Sequence, residues 1–174
     1  DKISSSLNLT IADLTQIVKA ECNEELASEN VRFKNVLSNV ANALAPLINE
    51  TKTIIEAEFD ECPVINYAPA YLESIIFNLV SNTIKYKHPE RSPHIMIHTY
   101  IRDDKKYLSI ADNGIGIDLG KYGDKIFGMY KTFHRHPDAR GIGLYLTKNM
   151  IEKSGGEILV YSKPAEGSCF VIRF

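Results

Sequence analysis

The chain has 174 residues, of which 44% are hydrophobic and 24% charged, and this is the balance of an ordinary globular domain with a sizeable core. The formal net charge of −2 offers no basic surface, so we expect no nucleic acid partner and no direct membrane contact. No apolar run approaches the roughly 20 residues that span a bilayer. The three cysteines (Cys22, Cys62 and Cys169) lack the spacing of a zinc site and are typical of reduced thiols in a cytoplasmic protein.

The first 31 residues are predicted to be a helix followed by a hinge. Residues 2–20 carry apolar side chains close to every third or fourth position: Ile3, Leu7, Leu14 and Ile17. The pattern fits an amphipathic helix packed on its own domain, and it also fits the end of a helical hairpin that continues upstream. Because the chain begins inside the pattern at Asp1, without Met, we favour the hairpin. Residues 21–31 are acidic and aperiodic, which indicates a hinge.

The remaining elements are predicted from hydrophobic periodicity and from turn residues. Helices are predicted at 34–50, 70–87 and 141–154, the first kinked or ended by Pro46. Strands are predicted at 51–59, 64–67, 94–102, 106–112, 157–163 and 168–174. Residues 113–140 show no period and are predicted to be a long functional loop of the lid type. The fold class is therefore α+β: a two-layer sandwich of a mixed, mostly antiparallel sheet covered on one face by three helices.

Three side chains of the helix at 70–87 fall on one face and point to phosphate and metal chemistry. Asn78, Asn82 and Lys85 lie within an arc of about 60°, given about 100° of rotation per residue. Asparagine oxygens suit a hydrated Mg²⁺ ion, and a lysine amine suits phosphate. The alternative, that both asparagines bond to neighbouring backbone, stays open at this point.

Two glycine-containing stretches add a site for a purine and for phosphate. Asp112 ends a strand and can accept from an exocyclic amine, while Gly114 and Gly116 allow a close approach of the backbone. A plain Asp-Asn-Gly turn is the alternative. Gly141 and Gly143 open a helix, where free N–H groups favour phosphate, although an ordinary helix start has the same pattern. Neither a Rossmann nor a Walker A motif accounts for them.

In this order, the three stretches resemble the conserved boxes of the GHKL ATP-binding superfamily, specifically the catalytic ATP-binding domain of two-component sensor histidine kinases. Asn78–Tyr86 resembles the asparagine box, Asp112–Gly116 the first glycine box, and Gly141–Leu144 the second. The resemblance covers about residues 32–174 and extends to a phenylalanine box in the lid at 126–134. It implies ATP and Mg²⁺ as cofactors.

The resemblance implies a role for each matching position. Asn82, with Asn78 one turn before it, would hold Mg²⁺, and Lys85 would contact phosphate; these three are the expected catalytic residues. Tyr86 and Asp112 would contact the adenine, with Asp112 accepting from its amine. The remaining cofactor-binding positions are Gly114, Gly116, Gly141, Gly143 and Leu144.

The second glycine box departs from the family's usual pattern. Ala139 and Arg140 stand where Gly-Thr is common, which leaves the path of the lid backbone open. Lys131, Arg135 and Arg140 are candidates for a charge on the γ-phosphate, and Lys131 is preferred.

Position 78 distinguishes phosphoryl transfer from ATP hydrolysis, and the histidines indicate whether the chain contains an acceptor. Related hydrolases carry a glutamate one turn before the Mg²⁺ asparagine, whereas Asn78 cannot act as a general base. The resemblance therefore implies phosphoryl transfer to a histidine on a dimerising hairpin, for relay to a response regulator. None of the five histidines fits the acceptor pattern.

These expectations divide the chain into two parts and leave three alternatives open. Residues 1–24 would be the end of the second hairpin helix with its hinge, and residues 25–174 the kinase domain, in a homodimeric and cytoplasmic protein. The alternatives are a GHKL-type ATPase or chaperone module, a non-catalytic nucleotide-binding interaction domain, and a serine kinase of the anti-sigma type.

Overall fold

The computed structural model describes residues 26–128 and 142–174. The predicted helix at 2–20 and the boundary at 24/25 lie outside this range, as do Lys131, Arg135, Ala139, Arg140 and Gly141. Within the described residues, no helix is both long enough and apolar enough to cross a membrane.

A five-stranded mixed sheet forms one layer of the fold. Its strands are β2 (Ile54–Glu58), β4 (His94–Arg102), β5 (Lys105–Asp112), β6 (Glu157–Lys163) and β7 (Gly167–Arg173). Their order across the sheet is β2-β4-β5-β7-β6, in which only the β2–β4 pair is parallel. The predicted α+β class with a mixed, mostly antiparallel sheet is thus confirmed.

The β4–β5 hairpin is tighter than the sequence indicated. Only Asp103 and Asp104 separate the strands, and both have positive φ angles, 50° and 58°. Such angles match the twist of a two-residue hairpin turn and are more accessible to Asp than to most residues. The hairpin fixes Ile95 opposite Asp112 on the inner face, which places Asp112 at the end of the sheet beneath the helices.

Four helices form the second layer, because the first predicted helix is broken in two. They are α1 (Phe33–Ala43), α2 (Ala45–Thr51), α3 (Pro69–Lys85) and α5 (Gly143–Lys153). The single helix predicted at 34–50 is wrong in this respect. Pro46 lacks an N–H and crowds the preceding turn, so α1 ends at Ala43 with Leu44 as its C-cap, and α2 starts anew with the proline in its first turn.

A small second sheet corrects the expectation of a hinge at 21–31. β1 (Glu29–Arg32) pairs antiparallel with β3 (Val64–Tyr67). Val31 is buried opposite Ile65, so packing against a distant strand overrides the acidic local sequence. Residues 21–25 lie outside the described range.

The core lies between the sheet and the helices. Its fully buried members include Phe33, Leu72, Ile76, Leu108 and Ile172. The opposite face of the sheet exposes apolar side chains such as Met96 and Tyr161.

The beginning of the predicted loop at 113–140 is partly ordered into short turns. A four-residue helix, α4 (Leu119–Tyr122), is capped by Asp118, whose Oδ1 accepts from the Lys121 N–H at 3.2 Å. A 3-10 turn at Gly123–Lys125 follows. The chain then buries Ile126 in the core, 1% exposed, which anchors this end of the loop to the domain.

Candidate functional site

Helix α3 separates a core face from a face that carries polar side chains. Pro69 occupies its first turn and Tyr86 follows its last residue. Leu72, Ile76 and Leu79 are buried, at 0–1% exposure, whereas Asn78, Asn82 and Lys85 are half-buried on another face. The amphipathic helix therefore holds the three predicted polar residues together and at the surface of the domain.

Asn78 joins α3 to the start of α5. Its Nδ2 lies 3.5 Å from the Oγ1 of Thr147, which is fully buried, so the amide N–H faces α5 and the Oδ1 is left as an acceptor. This contact replaces the alternative in which Asn78 bonds to neighbouring backbone. Gly143 is the first residue of α5, and a Cβ added there would lie 3.7 Å from Asn78 Oδ1. Asn78 and the N-terminus of α5 are thus neighbours, as phosphate binding between them would require.

Asp112 lies where β5 ends, and two backbone donors hold its carboxylate. The N–H of Gly114 donates to Oδ1 at 2.8 Å and the N–H of Ser168 donates to it at 3.3 Å, while the Thr83 hydroxyl, which donates to the Leu79 carbonyl at 3.3 Å, favours the ionised form. Burial raises the pKa of Asp112 above its ordinary value, and these hydrogen bonds act in the opposite direction. The carboxylate is therefore held in one orientation, with one oxygen occupied by backbone.

Two residues near the Asp112 carboxylate, Thr83 and Ser168, are absent from the predicted site. Thr83 is buried on the core side of the helix, at 5% exposure, and its hydroxyl donates to the Leu79 carbonyl while it also favours the ionised form of Asp112. Ser168 lies 56 residues further along the chain and comes close through the pairing of β7 with β5. No local pattern identifies Ser168, whereas a hydroxyl on an otherwise apolar face was the available signal for Thr83.

The glycines of the Asp112–Gly116 stretch are required by close packing. A Cβ on Gly114 would lie 2.7 Å from the Tyr86 carbonyl oxygen and 2.8 Å from Asp112 Oδ1. Gly116 has a φ of +66°, and a Cβ there would overlap the carbonyl of Lys163. A plain Asp-Asn-Gly turn does not need Gly116, so the packing favours a built loop over that alternative.

Tyr86 and Lys85 lie at the end of α3, directly above this loop. The Tyr86 carbonyl accepts from the Ile115 N–H at 3.0 Å, and burial raises the pKa of its phenol. The Lys85 Nζ lies 5.7 Å from the centre of the Tyr86 ring. The aromatic ring, the amine and the Asp112 loop thus share one end of the helix.

The start of the lid is attached to α5. Lys148 Nζ lies 5.7 Å from the ring centre of Phe127 and 3.6 Å from Glu152 Oε1. Leu144 packs against the core cluster. The Leu144 side chain therefore contributes to the packing of α5 on the core.

The site brings together Asn78, Gly143, Lys85, Tyr86 and the Asp112 loop, but it contains no acidic metal cluster. Within residues 26–128 and 142–174, no group of three His, Cys, Asp or Glu side chains is placed to hold a metal ion. A cation here would depend on the amide oxygens of Asn78 and Asn82, which are hard donors of the kind Mg²⁺ accepts while retaining water and phosphate ligands. The donor set fits that ion.

Comparison with known families identifies the family to which this site belongs. Residues 68–174 match the family described as histidine kinase-, DNA gyrase B-, and HSP90-like ATPase. The chain belongs to this family. The match contains α3, the Asp112 loop and α5, so it covers every described residue of the site.

Relatives narrow the family to its histidine kinase branch. The sensor protein RprX of Bacteroides fragilis is 34% identical over 151 residues, covering 84% of this chain and 29% of that protein. The sensor histidine kinase RcsC of Escherichia coli is 31% identical over 180 residues, covering 98% of this chain and 18% of that protein. The chain thus spans less than a third of the length of these relatives.

A solved structure supports the fold. The Acinetobacter baumannii histidine kinase AdeS has a TM-score of 0.78 at 21% identity, over 98% of this chain and 79% of that one. The predicted two-layer architecture of a histidine kinase ATP-binding domain is therefore confirmed.

Proposed function

We propose that the chain binds ATP with the adenine on Asp112 and the phosphates between α3 and the start of α5. The single observation that supports this most strongly is the carboxylate of Asp112, oriented by the N–H groups of Gly114 and Ser168 at the end of a buried strand. A fixed, partly desolvated acceptor discriminates between bases by their exocyclic groups, because a base without a donor at that place leaves it unpaired. Tyr86 supplies a ring face beside it.

Titration with nucleotide tests the base contact. Asp112→Asn keeps the size of the side chain but places an amide where an acceptor is needed, and we expect ATP affinity to fall by at least about tenfold. Asp103→Asn is the control, because Asp103 lies in the exposed β4–β5 turn and its carboxylate is 87% exposed. An Asp112→Asn variant that binds ATP as well as the wild type would contradict the proposal.

Magnesium would be held by Asn82 and assisted by Asn78. Asn82 lies one turn beyond Asn78 on the half-buried polar face of α3. The contact of Asn78 Nδ2 with Thr147 leaves the amide oxygen as the free donor atom, as a cation requires. When bound, Mg²⁺ supplies charge neutralisation at the phosphate oxygens, and Lys85 adds a positive charge at the same end of the helix. Lys131, with Arg140 and Arg135, is retained as a candidate for the γ-phosphate, together with Gly141 on the lid side.

The reaction would be transfer of the γ-phosphoryl group to a histidine, with slow hydrolysis. Asn78 occupies the place at which the resembling hydrolases carry a general base, and an amide cannot deprotonate water. Transfer depends on positioning and on charge stabilisation, which this site can provide. Steady conversion of ATP to ADP without an added acceptor, at a rate that Asn78→Ala abolishes, would instead favour the ATPase or chaperone alternative.

The acceptor and the partners follow from the same proposal. Residues 1–24 would be the end of a dimerisation hairpin that carries the acceptor histidine upstream, and residues 25–174 the kinase domain. The whole protein would act as a homodimer and pass the phosphoryl group to an aspartate of a response regulator. The relatives are sensor proteins and sensor histidine kinases, which supports this assignment.

A further inference from the structure

Arg91 connects two segments of the site that are distant in sequence. Its Nη2 donates to the carbonyl of Ala165 at 2.6 Å and lies 3.4 Å from the carbonyl of Gly114. One guanidinium nitrogen carries two hydrogens, so it can serve both acceptors. Among the described residues, no carboxylate forms an ion pair with Arg91.

The contact closes a ring of hydrogen bonds around the Asp112 loop. The peptide unit between Gly114 and Ile115 is held at both ends: its carbonyl by Arg91, and its N–H by the Tyr86 carbonyl at 3.0 Å. The Ile115 carbonyl accepts from the Ala165 N–H at 2.8 Å, and the Ala165 carbonyl returns to Arg91. The ring therefore joins the segment after α3, the Asp112 loop and the β6–β7 turn.

The β6–β7 turn needs such support. Ala165 has a φ of 63°, in the left-handed region that costs an alanine free energy. The same turn leads to Gly167, where a Cβ would overlap the carbonyl of Asp112, and to Ser168, which donates to the Asp112 carboxylate. A shift of the turn would move one donor of Asp112, and a shift of Gly114 would move another.

We propose that Arg91 is a positioning residue for adenine recognition, which acts by fixing the Gly114 peptide and the β6–β7 turn that hold the Asp112 carboxylate. This inference rests on the proposed pairing of Asp112 with the adenine amine. Arg91 itself does not contact the base in this account. Arg91 affects the difference in affinity between a base with the exocyclic amine and a base without it. A carboxylate that is free to reorient can find another donor when the amine is absent, so it loses less binding free energy than a fixed one.

The experiment compares two nucleotides that differ only in the exocyclic amine. Dissociation constants for ATP and for purine riboside triphosphate are measured with the wild type, Arg91→Gln, Arg91→Lys and Asp112→Asn. Arg102→Gln is the matched control, because the side chain of Arg102 is 77% exposed and its ion pair, at 3.7 Å, is with the neighbouring Asp103. The thermal midpoint of each variant without nucleotide is recorded alongside.

We expect Arg91→Gln to reduce the preference for ATP by about fivefold to tenfold. Loss of a hydrogen bond with one charged, partly exposed partner has an effect of this size. Arg91→Lys should restore part of the preference, because the amine can reach one carbonyl, and Arg102→Gln should leave it unchanged. The affinity for purine riboside triphosphate should change little in every variant.

Four outcomes would overturn the proposal. An Arg91→Gln variant with a lowered thermal midpoint but an unchanged preference would show a structural role only. Equal weakening of both nucleotides would show a direct contact with the phosphates or the ribose. A wild type without any preference for ATP would overturn the pairing of Asp112 with adenine and this inference with it. Loss of the preference in Asp112→Asn alone would overturn only the role of Arg91.

Discussion

Gly116 offers a prediction with an internal control in Gly155. Both residues have positive φ angles, +66° and +79°, but their surroundings differ. A Cβ on Gly155 would meet nothing within 4 Å, whereas a Cβ on Gly116 would overlap the backbone carbonyl of Lys163. The pair therefore separates the cost of the backbone angle from the cost of the packing.

The magnitudes follow from that difference. Gly155→Ala should lower the free energy of unfolding by about 1 kcal/mol, the cost of placing an L side chain in the left-handed region. Gly116→Ala carries the same cost and must also displace the backbone of the β6–β7 turn, which adds about 1–3 kcal/mol. The total for Gly116→Ala is therefore about 2–4 kcal/mol.

Urea unfolding monitored by circular dichroism measures both values, and nucleotide titration completes the test. Because Gly116 holds the Asp112 loop against the turn, Gly116→Ala should also weaken ATP binding by about tenfold. Gly155→Ala should leave it unchanged, since Gly155 caps the far end of α5 with its N–H on the Glu152 carbonyl. Equal losses of stability in the two variants, or unchanged ATP affinity in Gly116→Ala, would show that the close packing at Gly116 does not hold the Asp112 loop in place.

Three further predictions concern pH, a buried hydroxyl and the core. Burial raises the pKa of Asp112 in the free protein, and the ionised carboxylate is a stronger acceptor for the amine than the protonated carboxyl. The preference for ATP over purine riboside triphosphate should thus be largest above that pKa and weaken as the pH falls through it, starting at a higher pH than for an ordinary aspartate, and a preference constant down to about pH 4 would contradict this. Thr83→Val should weaken ATP binding by about fivefold in calorimetric titration, because it removes the hydroxyl that favours the ionised form of Asp112. Thr99→Val, which removes a buried hydroxyl bonded to the Cys62 carbonyl at 2.8 Å, should cost only stability, and equal affinities in the two variants would count against the role of Thr83. Phe33→Ala should lower the free energy of unfolding by about 3–5 kcal/mol and leave the ATP affinity of the folded protein unchanged, because the ring is fully buried and stacks on Phe59 at 5.9 Å. A loss below about 1 kcal/mol in denaturant unfolding would contradict the burial of Phe33 in the core.

Local patterns were sufficient to predict the elements that carry the site. The spacing of Asn78, Asn82 and Lys85 needs only the helical period, and α3 follows from its apolar stripe and Pro69. The positions of Asp112, Gly114 and Gly116 follow from a strand end and from turn chemistry. These features depend on neighbours within a few residues, which a single sequence displays.

The contacts that orient the site cannot be predicted from the sequence, because they depend on how segments distant in the chain pair in the fold. Ser168 reaches Asp112 only once β7 pairs with β5, and Arg91 meets Ala165 across 74 residues. The acidic, aperiodic sequence of residues 21–31 predicts a hinge because it does not reveal the pairing of Val31 with Ile65. Propensity is a weak guide where tertiary packing decides.

Transfer of labelled phosphate tests directly whether the chain phosphorylates a histidine in the upstream hairpin. The chain extended upstream through its hairpin is incubated with Mg²⁺ and ATP labelled in the γ-phosphate, beside residues 1–174 alone and beside an extended Asp112→Asn variant. The account predicts an acid-labile, base-stable phosphohistidine on the extended wild type, strongly reduced labelling in the Asp112→Asn variant, and none on residues 1–174. Phosphohistidine on residues 1–174 alone, or undiminished labelling of the Asp112→Asn variant, would contradict it.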